Sequence, residues 1–472
     1  MIDRSRNASL LTLFACVIGL LVLGAHAADQ SAQWILEESG THGGLVVHLD
    51  CGGGKLTTAL GRRDGYLVHG LDTDPADVAR ARTHAREAGV YGTVMIEHWD
   101  STRLPYADNL VNLLLAEKSH GVSMDEVMRV LAPGGVVGLR EEQRWEWRTK
   151  PWAEGMDEWT HYLHDASNNA VAQDSLITPP KRLRWVSGPP FCRSHEIDAS
   201  ISSLVTAQGR MFYILDEGLI GVTDERLPET WALLARDAFS GVELWKRPLP
   251  NWGWPEWKHD ELAGKDWTGI RGQRTRMPSE LPRRLVVAGD RVFVTLGFDA
   301  PVSVLDAATG EVLRELGGTA HTDEILVDNG RLFLRARTHA NAEARRRRGE
   351  ESPEHILCVD PDADEVVWKT QVPRIVPLSL AVSGDGVFFN DHEETVCLAR
   401  DSGRELWRTA ARAKNSNTWR VNHTLVVHDG VVLLASGGRI EAYDAQTGER
   451  LWRGKNTSGP GVSNPPDIFV AQ

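Results

Sequence analysis

The apolar run Leu45-Val46-Val47-His48-Leu49 has the length of a buried strand and leads into Asp50-Cys51-Gly52-Gly53-Gly54. Glycines at such a turn let backbone N–H groups approach a ligand closely where a helix begins. A second strand reading closes at Leu71, and Asp72 stands at its tip, where a carboxylate can hold ribose hydroxyls. A third, Val94 to Trp99, ends at Asp100. The dinucleotide fingerprint Gly-x-Gly-x-x-Gly fits Gly52 and Gly54 but meets Thr57 at its last position, which disfavours nicotinamide and flavin. Asp50, Gly52, Gly54, Asp72 and Asp100 are the candidate cofactor-binding residues. No catalytic residue is legible.

The surrounding pattern alternates strand and helix, which predicts a doubly wound α/β domain with a parallel sheet. Gln33 to Glu38 reads as a short helix. Asp74 can cap a helix with Pro75 at its first position, running to about Gly89. Leu110 to Leu115 reads as a fourth strand, and Ser123-Met124-Asp125-Glu126 has capping-box spacing. Leu131-Ala132-Pro133-Gly134-Gly135 turns into a fifth strand, Val136 to Leu139. Trp145 and Trp147 alternate with charged residues between Glu142 and Lys150, as in a sixth strand with structural tryptophans.

This stretch, roughly residues 33 to 140, resembles class I S-adenosylmethionine-dependent methyltransferases. Asp50, Gly52 and Gly54 match their acidic residue followed by Gly-x-Gly, whereas Leu56 departs from a commonly found third glycine. Asp72 matches the acidic residue that grips the ribose, and Asp100 the one near the adenine. Leu131 to Gly135 matches the Leu-x-Pro-Gly-Gly turn before the fifth strand. The resemblance implies a Rossmann-like fold and S-adenosyl-L-methionine as cofactor. The fourth strand ends in Ala116-Glu117-Lys118 without a methyl-acceptor motif, which leaves open a domain that keeps the fold without the chemistry.

Beyond Pro151 the chain repeats itself. Val427-His428-Asp429-Gly430-Val431-Val432 is followed by Tyr443-Asp444-Ala445-Gln446-Thr447-Gly448-Glu449-Arg450-Leu451-Trp452. The same unit recurs from Thr206, Val287, Val327 and Val382. A tight turn joins two short strands. Asp-Ala-x-Thr-Gly makes a second turn, where Asp bonds its own backbone and Gly supplies positive φ. The anchors are Trp245, Arg314, Trp368, Trp407 and Trp452, so one unit lacks its tryptophan. The two shortest spacings fit a four-stranded propeller blade of ~40–45 residues.

These repeats resemble the pyrroloquinoline-quinone (PQQ)-type propeller family, which includes quinoprotein dehydrogenases and the propeller lipoprotein of outer-membrane assembly. Trp159-Thr160-His161-Tyr162-Leu163-His164-Asp165 looks like the lead-in segment of such propellers, and Leu183-Arg184-Trp185 like an outer strand supplied from the N-terminal side. The adjacent cysteines often found beside the quinone are missing, so PQQ as cofactor is not supported. His161, His164 and Asp165 read as shaping a turn rather than as a metal site, because no ligand cluster completes one. Trp252, Trp254, Trp257 and Trp267 read as a loop packed on the propeller or stacking on a ligand, and Arg345 to Arg348 as a solvated loop. Cys358 and Cys397 occupy equivalent places in successive blades. Blades stack ~10 Å apart, beyond the ~7 Å Cα limit of a disulfide, so both should be free thiols.

Six outer-strand positions, Trp185 included, fall short of the seven or eight blades of related propellers. Asp467 to Gln472 reads like the first strand of another unit. The expectation is an incomplete all-β propeller, a fragment of a longer protein, with its last strand poorly paired.

The formal charge of −13 argues against a nucleic-acid partner, which needs a basic face. Arg4 and Arg6, the apolar run Leu10 to Leu23 and Ala25-His26-Ala27 form a signal-peptide pattern, and the run is too short to span a bilayer comfortably. The domains read as 1–27 signal peptide, 28–150 methyltransferase-like domain and 151–472 propeller repeats. The mature chain is expected in the periplasm or cell envelope, with no transmembrane span after cleavage. Three functions stay open: a propeller that binds a protein partner or extracytoplasmic ligand, with an appended S-adenosylmethionine-binding-like domain; a methyltransferase guided by its propeller; and a quinone-dependent oxidoreductase.

Overall fold

The computed structural model describes residues 27–471 apart from 143, 180–182, 189–200, 219–228, 258–276, 341, 343–344, 346–348, 351, 412–423, 437–438 and 456–467. The leader, Cys192, Trp267, most of the basic run and Asp467 lie outside the described residues. The chain divides into two compact units. The first comprises the described residues of Met1–Glu154, Pro180–Val186 and Arg236–Trp245, the second the remainder.

The first unit is built on a six-stranded sheet: β1 (Gly44–Leu49), β2 (Tyr66–Asp72), β3 (Val94–His98), β4 (Val111–Ala116), β5 (Leu131–Glu141) and β6 (Arg144–Thr149). The strand order is β3-β2-β1-β4-β5-β6, parallel except where β6 returns beside β5. Helices α1 (27–39), α2 (Lys55–Leu60), α3 (Pro75–Glu87) and α4 (Met124–Val130) complete it. The first helix is longer than Gln33 to Glu38, and the fifth strand begins earlier, at Leu131. Asp74 caps α3 by accepting from Ala76 N at 2.8 Å, and Ser123 caps α4 by accepting from Glu126 N at 3.2 Å. All six residues of β1 are buried, as the central strand of a sheet covered on both faces requires.

The propeller unit contributes four-stranded antiparallel sheets whose innermost strands are Ile201–Ala207, Leu285–Ala288, Thr322–Asp328, Ala381–Ser383 and Leu425–His428. Five such sheets stand among the described residues. The lead-in segment runs past these strands in order. Trp159 O, Thr160 O, His161 Nε2, Ala166 O and Ser167 O accept the backbone N–H of Thr206, Val287, Val327, Val382 and Val427, at 2.7 to 3.1 Å. Each donor lies at the same place in its blade, just ahead of the tight turn. Asn168 Nδ2 adds bonds to Leu380 O and Leu425 O, and Asn168 Oδ1 accepts from Arg283.

A buried ionic network lies in the same unit. The Arg335 guanidinium grips Glu354 at 2.7 and 3.1 Å and Glu324 at 2.8 Å. Arg337 bonds Asp323 and Asp299. Buried charges are tolerated when paired and fully hydrogen-bonded.

The anchor residues lock sheet to sheet. Trp368 Nε1 donates to Arg400 O at 2.9 Å and Trp407 Nε1 to Ala445 O at 3.0 Å. A Cβ on Gly403 or Gly448 would lie 2.4 or 2.6 Å from the ring of that tryptophan, and both glycines have φ near +70°. In the first unit Trp185 Nε1 donates to Ala238 O in the same way, over Gly241. Arg314, which lacks the indole, reaches Pro361 O and Asp362 O with its guanidinium instead. Cys358 and Cys397 are buried free thiols, and burial pushes the Cys397 thiol up to about 12.

Candidate functional site

The site begins where β1 ends. Asp50, Gly52 and Gly54 have φ of +57°, +54° and +74°, so the chain turns sharply from strand into α2. Gly54 must be glycine for a packing reason, because its Cβ would lie 2.6 Å from that of Ala81 on α3. Gly52 and Gly53 face open space, with no atom within 4 Å of an added Cβ.

The parallel register decides what surrounds this turn. Leu49 pairs with Ala116, and Ala116 with Leu139. The next residues, Asp50, Glu117 and Arg140, therefore stand side by side at the carboxyl end of the sheet, where open α/β sheets hold ligands. They line a cleft of about 700 Å³ together with His48, Lys118 and Glu142.

Asp50 accepts from His120 Nε2 at 2.9 Å and pairs with Lys118 Nζ at 3.1 Å. Burial opposes its charge, but these two partners outweigh burial and hold its pKa below the usual carboxylate range. Glu117 is shifted the other way, chiefly by burial. His48 is buried, and loss of solvent lowers its pKa to about 4. Its Nδ1 bonds Thr57 Oγ1 at 2.9 Å, while Nε2 has no partner among the described residues. Burial also raises the Cys51 thiol to about 12, so it stays protonated at neutral pH.

Asp72 is buried. Its Oδ2 accepts from Gly52 N at 2.8 Å and its Oδ1 from Asp74 N at 2.9 Å, so the carboxylate braces the glycine turn. Trp99 N donates to Asp72 O at 2.9 Å, which puts exposed Asp100 one residue beyond that contact. The fold thus gathers Asp50, Gly52, Gly54 and Asp72. Of the five candidates, Asp50 and Gly54 line the cleft. Sequence reasoning missed His48, His120, Lys118, Arg140 and Glu142. A legible signal existed: charged residues just past the first, fourth and fifth strands must share one end of a parallel sheet.

Lys55, Lys118 and Arg140 line the cleft together with Asp50, Glu117 and Glu142, and Arg140 lies 3.9 Å from Glu117.

Among the described residues no helix is long and apolar enough to cross a membrane, and no cluster of three or more His, Cys, Asp or Glu is placed to hold a metal ion. His161 Nε2 accepts from Val327 N, and His164 pairs with Asp157 and Asp165.

Comparison with known proteins agrees with both units. Methyltransferase GfsG of Streptomyces halstedii is 30% identical over 124 residues, 25% of this chain and 45% of that protein. Ubiquinone biosynthesis O-methyltransferase of Sodalis glossinidius is 28% identical over 178 residues, 36% of this chain and 70% of that one. The Pseudomonas aeruginosa PAO1 enzyme of the same name is 44% identical over 58 residues, 12% of this chain and 25% of its own length. The chain thus spans less than half of GfsG and of the Pseudomonas enzyme. Geranyl diphosphate C-methyltransferase of Streptomyces coelicolor A3(2) is a structural neighbour at 22% identity, covering 23% of this chain and 44% of that one, with a TM-score of 0.22. Residues 46–135 match the family described as methyltransferase domain, and residues 352–470 the family described as outer membrane protein assembly factor BamB. The chain thus carries a segment that matches the methyltransferase-domain family, followed by one that matches the BamB repeat family.

Proposed function

We propose that this protein is an exported propeller scaffold whose N-terminal domain, residues 28–150, binds S-adenosylmethionine. The observation that carries the cofactor assignment is the bare Gly52–Gly53 backbone beside a cleft holding both signs of charge. Asp50 and Gly54 would contact the ligand from the cleft, with Gly52, Asp72 and Asp100 on the ribose and adenine side. Bound S-adenosylmethionine would supply an electrophilic methyl group. Lys118 and His120 orient the Asp50 carboxylate, and the Asp72 brace fixes the turn before any ligand arrives. Export is supported by the Leu10–Leu23 run with Ala25-His26-Ala27, and by the BamB-like repeats, whose namesake assembles outer-membrane proteins. The repeats also support a protein partner for residues 151–472.

Calorimetry of the intact protein with S-adenosylmethionine tests the cofactor assignment. Saturable heat that is lost in Gly53→Val is the expected result, because a valine side chain would occupy the open face of the turn. No heat with the wild type sinks the assignment. N-terminal sequencing of the mature protein tests export, which requires a first residue at Ala28.

Methyl transfer is a second reading, favoured by Glu117. Burial raises the proton affinity of this cleft carboxylate, which suits a group that takes a proton from an acceptor. Glu117→Gln should then lower turnover by a larger factor than it lowers S-adenosylmethionine affinity.

A further inference from the structure

One face of β5 and β6 carries a row of stacked planar side chains. The antiparallel register sets Gly138 opposite Trp147 and Arg140 opposite Trp145. Opposed residues of such a pair place their side chains together on one face. A Cβ on Gly138 would lie 2.5 Å from the Trp147 ring, so glycine is what lets that indole lie across β5. Trp145 stacks on Trp147, with ring centroids 5.9 Å apart and planes 21° from parallel. Arg140 Cζ lies over the Trp145 ring at 5.3 Å. Both tryptophans are half-buried against the core of the first unit, which anchors the row.

The row ends at the cleft, where Arg140 is a lining residue and the two indoles are not. Arg140 Nε lies 3.9 Å from Glu117 Oε2, an ion-pair distance too long for a hydrogen bond. A third of the Arg140 side chain, 33%, is exposed. A guanidinium is planar, weakly hydrated and stacks readily on aromatic faces. With Trp145 on one side, Arg140 offers its open side to a molecule in the cleft. A simple anion is a poor occupant there, because Glu117 and Glu142 line the same cleft. A saturated ligand would gain nothing from the stack.

We propose that Arg140 is the platform for a planar aromatic hydroxyl compound, which extends the stack of Trp147, Trp145 and Arg140 into the cleft with its hydroxyl toward Glu117. Trp145 is a positioning residue, since it touches the guanidinium and not the ligand. This subsite rests on the methyl-transfer reading of Glu117 and names the class of its acceptor. The hydroxyl oxygen bonds the methyl carbon while the sulfonium sulfur keeps the electron pair of the bond that breaks. The hydroxyl proton passes to the Glu117 carboxylate.

The probe is 2-naphthol, titrated into the intact protein and followed by its own fluorescence anisotropy, excited beyond the indole absorption. Saturable binding is expected, and 2-decalol, the same skeleton without a planar ring, should not displace it. Arg140→Met should weaken binding at least about tenfold, and Trp145→Ala about threefold. Trp145→Phe should restore most of the loss, because a phenyl face still holds the guanidinium. Heat with S-adenosylmethionine should be the same in both Trp145 variants as in the wild type. No binding up to about 1 mM probe, displacement by 2-decalol, or equal binding by Arg140→Met overturns the subsite. The 2-decalol comparison uses the wild type alone, so it decides even where a variant loses its circular dichroism. Binding as expected in a protein that gives no heat with S-adenosylmethionine supports the subsite and overturns the cofactor assignment instead.

Discussion

Asn169 and Val470, 301 positions apart, exchange two hydrogen bonds, one in each direction. The carboxamide thereby does for Val470 what backbone carbonyls of Trp159 to Ser167 do for four of the five preceding inner strands. Asn169→Ala should free Ile468–Ala471 and cost about 1–2 kcal/mol. Hydrogen exchange at the Val470 amide should accelerate while exchange at Val427 stays slow.

Asn168→Ala should be more damaging. Its side chain satisfies Leu380 O, Leu425 O and Arg283 inside the protein. Removing it costs each of these buried groups one hydrogen bond, although Leu380 O keeps Arg283 Nη1 and Arg283 Nη2 keeps Leu378 O, at about 2–4 kcal/mol in total. Urea unfolding of the two variants should rank Asn168→Ala as the less stable.

Turn glycines should separate into two classes. Gly448 and Gly430 share φ near +70°, but a Cβ on Gly448 would strike the Trp407 ring, while one on Gly430 meets nothing within 4 Å. Gly430→Ala should cost about 1 kcal/mol for the left-handed backbone alone. Gly448→Ala should cost at least about 2 kcal/mol, with overpacking added. Thermal denaturation midpoints would contradict this if the two variants proved equal.

Glu354→Ala should cost about 3–5 kcal/mol, because it removes two of the three hydrogen bonds of the buried Arg335 guanidinium and leaves it Glu324 alone. Ile375 N also loses its acceptor, Glu354 Oε2 at 3.1 Å. Replacing Arg335 and Glu354 together by Met and Leu should recover little of the loss, because buried Glu324 then loses Arg335, and urea midpoints of the single and double variants measure it.

Acidification should destabilise the first unit through His48. Its folded pKa is lowered to about 4 from 6.5, so between these values the unfolded chain binds a proton that the folded chain does not. Stability is therefore complete above pH 6.5 and declines as pH falls toward 4, by up to about 3 kcal/mol. His48→Gln should flatten this part of the stability–pH profile; an unchanged slope would place its origin elsewhere.

The sequence by itself determined the elements whose causes are local. Asp74 with Pro75 and Ser123 with Glu126 placed two helix starts, and the Asp-Ala-x-Thr-Gly turns placed the outer strands, since capping and positive φ depend on a few adjacent residues. The glycine turn at Asp50 to Gly54 was legible for the same reason. Tertiary structure alone decided which polar groups meet across long separations. Arg314 looked like a missing tryptophan until its guanidinium was found on the carbonyls of Pro361 and Asp362. Asp72, a ribose-gripping residue by resemblance, was found bracing Gly52 N. Glu117, Lys118 and His120 carried no motif, and only the β1–β4 register brought Lys118 and His120 onto Asp50. A charged residue's role follows from which desolvated partner it reaches, and that is fixed by strand register and packing rather than by its neighbours in the chain.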